Sequence, residues 1–167
     1  MRTLWRIIKE RHADGAFSGE GAARNGGRWN LRGTRVVYTS ATQSLAALEL
    51  LVHLNPPLPF RWVVFPVTCE SALIEVYPAA RLPAAWRSQP PPRVTQQIGT
   101  EWVRHSRSAV LAVPSVLVPD EHNYLLNPAH PDFGRIRVGP PRPFALDPRL
   151  IRFPESADPS QKPPPSS

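Results

Sequence analysis

The apolar residues of this chain fall into six short runs broken by proline and glycine, and only one other stretch is long and periodic enough to make a clear helix. Residues 3–8 (TLWRII), 35–39 (RVVYT), 61–67 (RWVVFPV), 72–77 (ALIEVY), 109–118 (AVLAVPSVLV) and 134–138 (GRIRV) read as strands. The fifth run must bend or carry an irregularity at Pro114, which cannot donate to a ladder. The helix spans 41–54, with Ser40 as its expected N-cap, Gln43 as the reciprocal N3 partner, and Asn55-Pro56-Pro57 as its stop. A second helix fits 93–106. Many strands, few helices and no βαβ alternation define an α+β class built on a mixed-strand core rather than a doubly wound sheet.

A chain of 167 residues buries about 70% of the surface its unfolded form exposes, enough for one core without a staple. Residues 1–153 are expected to form a single domain. Residues 154–167 (PESADPSQKPPPSS) hold no apolar side chain larger than alanine and are expected to be disordered. The lone cysteine, Cys69, excludes an intramolecular disulfide and a paired-cysteine metal site. No apolar run reaches the length of a membrane span, and the N-terminus lacks the pattern of a secretory signal, so a cytoplasmic setting is expected. The net charge of +7 is nearly all arginine. It permits a nucleic-acid or acidic partner. The arginines are scattered rather than blocked and are not interleaved with aromatics, which favours a compositional origin; direct nucleic-acid binding is not expected.

Four places can carry chemistry. On the 41–54 helix, Leu45, Leu48 and Val52 define an apolar stripe, and Glu49 lies about 40° from Leu45 at its edge. The helix is expected to be buried nearly all round, so the carboxylate is paired, protonated or functional. His53 follows one turn later, and an ordinary surface Glu–His pair is the alternative. Gly26-Gly27-Arg28-Trp29-Asn30 puts an arginine between a glycine pair and an aromatic, suited to gripping phosphate or carboxylate, although a plain glycine-rich turn has the same composition. Tyr38, at the end of the second strand, either stacks on a flat ring or packs in the core. Ser115 is a hydroxyl in an apolar strand and needs a partner. The segment after it, His122 to Pro131, reads as turn chemistry. His122 and His130 lack partners at metal-ligand spacing, so no metal is expected.

Taken in order, GGRWN, YTS, LALELLVHL, VPSVLV and NYLLNPAHP resemble the RES-domain family, named for its arginine, glutamate and serine. The resemblance runs from about residue 4 to 138, with LWRI and FGRIRV similar to the family's ends. It implies that Arg28, Glu49 and Ser115 are the naming residues, that Tyr38 completes the site, and that His53 and Asn123 contribute to substrate binding. It also implies a fold similar to ADP-ribosyltransferase toxins, and NAD+ as a substrate cleaved at the nicotinamide–ribose bond rather than a retained cofactor. The setting it implies is a bacterial toxin–antitoxin pair with an Xre-like helix-turn-helix antitoxin as partner.

These residue types suit that chemistry. Cleavage makes the ribose oxocarbenium-like, so a carboxylate such as Glu49 that accepts from a ribose hydroxyl and faces the developing charge lowers the barrier. Arg28 would hold a phosphate, Tyr38 would stack on nicotinamide, and Ser115 would hydrogen-bond either Glu49 or the ribose and fix its geometry. The sequence leaves water, phosphate or a protein side chain open as acceptor. A non-enzymatic basic binding module is the competing class.

Overall fold

A computed structural model describes residues 1–54 and 60–151. The expected helix stop at Asn55-Pro56-Pro57 and the 154–167 tail lie outside the described residues.

In chain order the elements are β1 (Arg2–Lys9), α1 (Glu20–Asn25), β2 (Val37–Ser40), α2 (Gln43–Leu51), β3 (Trp62–Cys69), β4 (Ile74–Val76), α3 (Arg93–Arg104), β5 (Val110–Pro114), β6 (His122–Leu126), β7 (Arg137–Val138) and β8 (Arg142–Phe144). Short 3-10 turns link several of them. One sheet runs β4-β5-β6-β2-β1-β3-β7, with β8 also on β3. All pairs are antiparallel except β4 with β5, which are parallel and joined through α3. The described residues therefore contain a βαβ crossover, which corrects the reading of no such alternation: the strand expected at 72–77 keeps three residues, and the proline-rich stretch before α3 masked its parallel pairing with β5.

The middle of the sheet is buried on both faces. Val110 and Ala112 of β5 pack on one side with Leu4, Val37, Val67 and Leu126. Leu111 and Val113 pack on the other with Trp29, Trp102 and Leu125. That is why residues 109–113 read as an unbroken apolar run rather than an alternating one. β5 ends at Pro114, which removes the next ladder donor. Residues 122–126, read as turn chemistry, instead form β6, a central strand paired with β2 and β5. Its polar start, His122-Asn123, masked a strand whose last three residues are fully in the core. The run at 134–138 keeps only two strand residues, because Pro131 opens a 3-10 turn there.

The position that matters most is the junction of β1 and β2. β1 pairs with β3 along its whole length, from Arg2 opposite Cys69 to Lys9 opposite Trp62. With β2 it shares a single paired position, Trp5 opposite Ser40. Beyond that point the two strands part, and the sheet opens into a cleft.

Candidate functional site

The cleft is a cavity of about 1000 Å³ whose wall includes Arg6, Arg28, Tyr38, Ser40, Glu49, His53 and Asn123. Glu49 reaches it from α2. The helix starts two residues later than expected. Thr42, not Ser40, is the N-cap, accepting from the Leu45 amide at 3.0 Å, and Leu45 at N3 returns no side-chain bond. Only Leu45 and Ala46 of α2 are buried, so the helix is not enclosed all round. Leu48 is 42% and Val52 58% exposed. The expected stripe is thus half solvent-facing. Glu49 sits one turn after Leu45, at the inner edge of the helix where it meets the sheet.

The carboxylate is held at one oxygen. Ser115 Oγ donates to Glu49 Oε1 at 3.2 Å, and Asn123 Nδ2 donates to the same oxygen at 2.5 Å. No donor among the described residues reaches Oε2. Ser115 is fully buried just past the end of β5, and its hydroxyl also accepts from the Leu117 and Val118 amides at 3.1 and 3.2 Å. With both lone pairs engaged by backbone N–H groups, its proton is directed at the carboxylate. The expected Ser115–Glu49 contact is present. His53 turns away from the carboxylate: its Nδ1 lies 2.8 Å from the Glu49 backbone carbonyl, and the ring is exposed at the cavity wall. The surface Glu–His pair does not form.

The GGRWN segment is a built loop. Asn30, fully buried, donates Nδ2 to the carbonyls of Ala22, Leu31 and Thr34. Its Oδ1 accepts from the Tyr38 hydroxyl at 2.8 Å, and that hydroxyl accepts from the Trp29 amide at 3.1 Å. Helix α3 braces the loop from outside. Gln96 donates to the Gly27 carbonyl at 3.0 Å, and Gly99 lies so close to the Trp29 carbonyl that no side chain fits. A Cβ on Gly27 would sit 2.5 Å from the Tyr38 hydroxyl. The glycine is required by close approach rather than by a positive φ.

Tyr38 is therefore anchored at its hydroxyl while its ring lines the cavity. Burial pushes its phenol up, offset in part by the Trp29 N–H and the Arg28 charge. Arg28 directs Nη1 at the carbonyls of Trp86 and Ser88, at 2.7 and 3.0 Å, tying the proline-rich 83–92 segment over the cleft. Burial pulls the Arg28 guanidinium down, and the negative charge of Glu49, with a smaller contribution from Tyr38, pushes it back. The two groups face one cavity and feel one another across it.

Sequence reasoning missed Arg6. It leaves the middle of β1 into the cavity wall, donates Nη1 to the Tyr38 carbonyl at 2.7 Å, and has no carboxylate partner among the described residues. Its Nε is buried with no hydrogen-bond partner there. Burial pushes its guanidinium down to about 10. A guanidinium on a cavity wall with no carboxylate partner is suited to holding an anion. Strand alternation could have flagged it, since Arg6 interrupts an otherwise apolar strand, LWRII.

No group of three or more histidine, cysteine or carboxylate side chains at metal-binding distance occurs among the described residues. No helix there is long and apolar enough to cross a membrane. Many exposed arginines are paired with acids, as in Arg107–Glu75, Arg135–Glu70 and Arg149–Asp147.

A mixed sheet split by a cleft, with a carboxylate at one wall and two arginines at the others, defines the class of domain. Comparison with known proteins gives its family. The RES domain family model matches residues 3–147. The "Prs ADP-ribosylating toxin" of Sphingobium sp. (strain YBL2) is 42% identical over 156 residues, covering 90% of this chain and 97% of that protein. The protein "Toxin Res" of Yersinia enterocolitica is 40% identical over 149 residues, covering 88% and 98%. Among solved structures, a chain of the M. tuberculosis MbcT–MbcA toxin–antitoxin complex superposes with a TM-score of 0.64 at 17% identity, over 89% of this chain and 86% of that one. The chain belongs to the RES-domain family, and it shares its α+β mixed-sheet fold with that solved chain.

Proposed function

We propose that this chain is the NAD+-consuming toxin of a bacterial toxin–antitoxin pair, acting in the cytoplasm and cleaving the nicotinamide–ribose bond. The observation that carries the reading is the asymmetry of Glu49. One oxygen is fixed by Ser115 and Asn123, and the other is left to the same cavity that holds Arg28, Tyr38 and Arg6. A carboxylate so oriented accepts from a ribose hydroxyl and sits beside the carbon that becomes cationic. The C–N electron pair departs with nicotinamide, which leaves as a neutral ring. The oxocarbenium-like ribose is then captured by water or inorganic phosphate, whose proton passes to solvent. Fixed dipoles need no reorganisation as that charge develops. The Tyr38 ring walls the leaving group, while Arg6 and Arg28 neutralise the diphosphate. Each commits only Nη1 to the protein, Arg6 to the Tyr38 carbonyl and Arg28 to the 83–92 segment, and Nη2 of each is without a protein partner among the described residues.

Purified protein should release nicotinamide from NAD+, and Glu49→Gln should lower the rate about 10²–10³-fold with the fold unchanged. A native protein that leaves NAD+ intact, or a glutamine variant as fast as the native one, overturns the reading. The toxin role and a helix-turn-helix antitoxin partner rest on the family and on the relatives' names. Co-expression with a small helix-turn-helix protein, where a neighbouring gene encodes one, should relieve growth inhibition.

A protein acceptor is the second reading. Two observations favour it: the Sphingobium relative is named for ADP-ribosylation, and Val52 and Leu117 expose apolar surface on the cavity wall. Label from the ADP-ribose half of NAD+ appearing on a cellular protein, rather than as free ADP-ribose or its phosphorylated form, would establish it.

A further inference from the structure

We infer that Ser40 is a positioning residue for the carboxylate, acting through the side-chain amide of Asn123; the inference rests on the proposed cleavage reaction. Thr42 caps α2, so the Ser40 hydroxyl is free for another task. Ser40 is buried, and its Oγ donates to Asn123 Oδ1 at 2.8 Å. Asn123 Nδ2 in turn donates to Glu49 Oε1. The three side chains come from β2, β6 and α2, and Ser40 and Asn123 lie directly opposite one another in the β2–β6 ladder.

The chain has a fixed direction. An ionised carboxylate only accepts, so Asn123 must present its NH₂ end to Glu49 and its carbonyl end to Ser40. The terminal torsion of an asparagine is broad, and a single bond at one end does not hold its plane. Bonds at both ends do. A hydroxyl donating to the amide oxygen also polarises the amide and strengthens its N–H as a donor. Without the Ser40 hydroxyl, Asn123 pivots, Glu49 loses one of its two fixed donors, and the open oxygen moves off the position where the ribose hydroxyl must meet it. Ser40 itself has no bond to Glu49, so its effect on the reaction runs through Asn123.

The test is a double-mutant cycle on nicotinamide release from NAD+, with thermal unfolding as a fold control. Ser40→Ala should lower kcat about tenfold with KM within twofold, because alignment rather than binding is lost. Ser40→Thr, which restores the hydroxyl, should return kcat to within threefold of native. The double variant Ser40→Ala/Asn123→Ala should be no slower than Asn123→Ala alone, since a serine that acts through the amide has nothing left to act on. Rates that multiply instead would show that Ser40 acts independently of Asn123 and overturn the inference, as would a raised KM with kcat intact, the mark of direct substrate contact. The Asn123 side-chain amide resonances, assigned by NMR, should shift in Ser40→Ala; unchanged resonances overturn it too. A native protein inert towards NAD+ sinks the cleavage reading, and the inference with it. An active native protein whose Ser40→Ala variant is equally fast sinks the inference alone.

Discussion

The Arg6 guanidinium bonds the Tyr38 carbonyl at 2.7 Å, just where β1 and β2 cease to pair. A side chain thus takes the place of a ladder hydrogen bond at the mouth of the split. The rest of its charge is left inside, with Nε unpartnered among the described residues. Stability alone does not call for this, because an apolar residue of similar length packs there with less desolvation.

Replacing Arg6 with methionine tests that account. The unliganded variant should unfold within about 2 kcal/mol of the native protein, since the lost charge-assisted bond is offset by relief of cation burial. Its KM for NAD+ should rise at least tenfold. The pH dependence has a definite sign. Below about pH 10 the folded protein keeps the Arg6 proton, and the penalty for burying the charge is full. As pH climbs above 10, the folded state sheds the proton before the unfolded chain does. This group's contribution to stability then rises, while its grip on an anion falls. Calorimetry with ADP-ribose should show affinity falling through pH 10 in the native protein, and less steeply in Arg6→Met.

Tyr38→Phe separates the ring from the hydroxyl. The ring faces the cavity, whereas the hydroxyl binds Asn30 Oδ1 and the Trp29 amide within the protein. Phenylalanine keeps the wall and strands two buried polar groups, so stability should fall by about 1–3 kcal/mol. The rate of nicotinamide release below the melting transition should stay within a few-fold. Tyr38→Ala should lose the rate as well. A phenylalanine variant as slow as the alanine one would give the hydroxyl a direct part in the chemistry.

The residues that were legible in the sequence are those whose chemistry conflicts with their surroundings. Glu49 stood out among leucines, and Ser115 among valines, because each needs a partner the local sequence does not offer; they turn out to be each other's partners, with Asn123. Arg28 and Tyr38 were legible as part of an ordered set of short motifs. Less visible was whatever depends on long-range pairing. β6 hid behind His122-Asn123, whose polarity is explained only by their place at the cleft end of a central strand. The role of Ser40 hid behind a plausible capping box, because a serine two residues ahead of the true cap satisfies the same local pattern. Arg6 hid because its isolation from carboxylates is a fact of three-dimensional packing. The exposure of Leu48 and Val52 likewise follows from which edge of α2 meets the sheet.

The helix cap supplies a control that should leave the chemistry alone. Thr42 accepts from the Leu45 amide and donates to Glu121 Oε2 at 2.8 Å, with no hydrogen bond to Glu49, Ser115 or Asn123. Thr42→Ala should lower stability by about 1 kcal/mol, which for a chain of this size is a fall of about 3 °C in Tm. The nicotinamide-release rate at 25 °C should be unchanged within twofold. A loss of stability at Ser40→Ala equal to that at Thr42→Ala, with no loss of rate at either, would return Ser40 to a capping role.

Gly27 gives the sharpest steric test of the loop. A methyl group there would lie 2.5 Å from the Tyr38 hydroxyl and 2.8 Å from Asn30 Oδ1. Neither atom is the end of a flexible chain. The tyrosine oxygen is pinned by Trp29 and Asn30, and Asn30 is pinned by three carbonyls. Gly27→Ala must therefore push the Tyr38 ring towards the cavity or lift the loop that carries Arg28 out of it. Overpacking of this kind costs about 1–3 kcal/mol. Because both displaced groups line the substrate wall, KM and kcat should worsen together, by about tenfold or more in kcat/KM. Gly21→Ala, on the neighbouring helix where nothing lies within 4 Å of the added methyl, should change neither. Equal activity in the two variants would mean that the Gly27–Tyr38 approach does not shape the site.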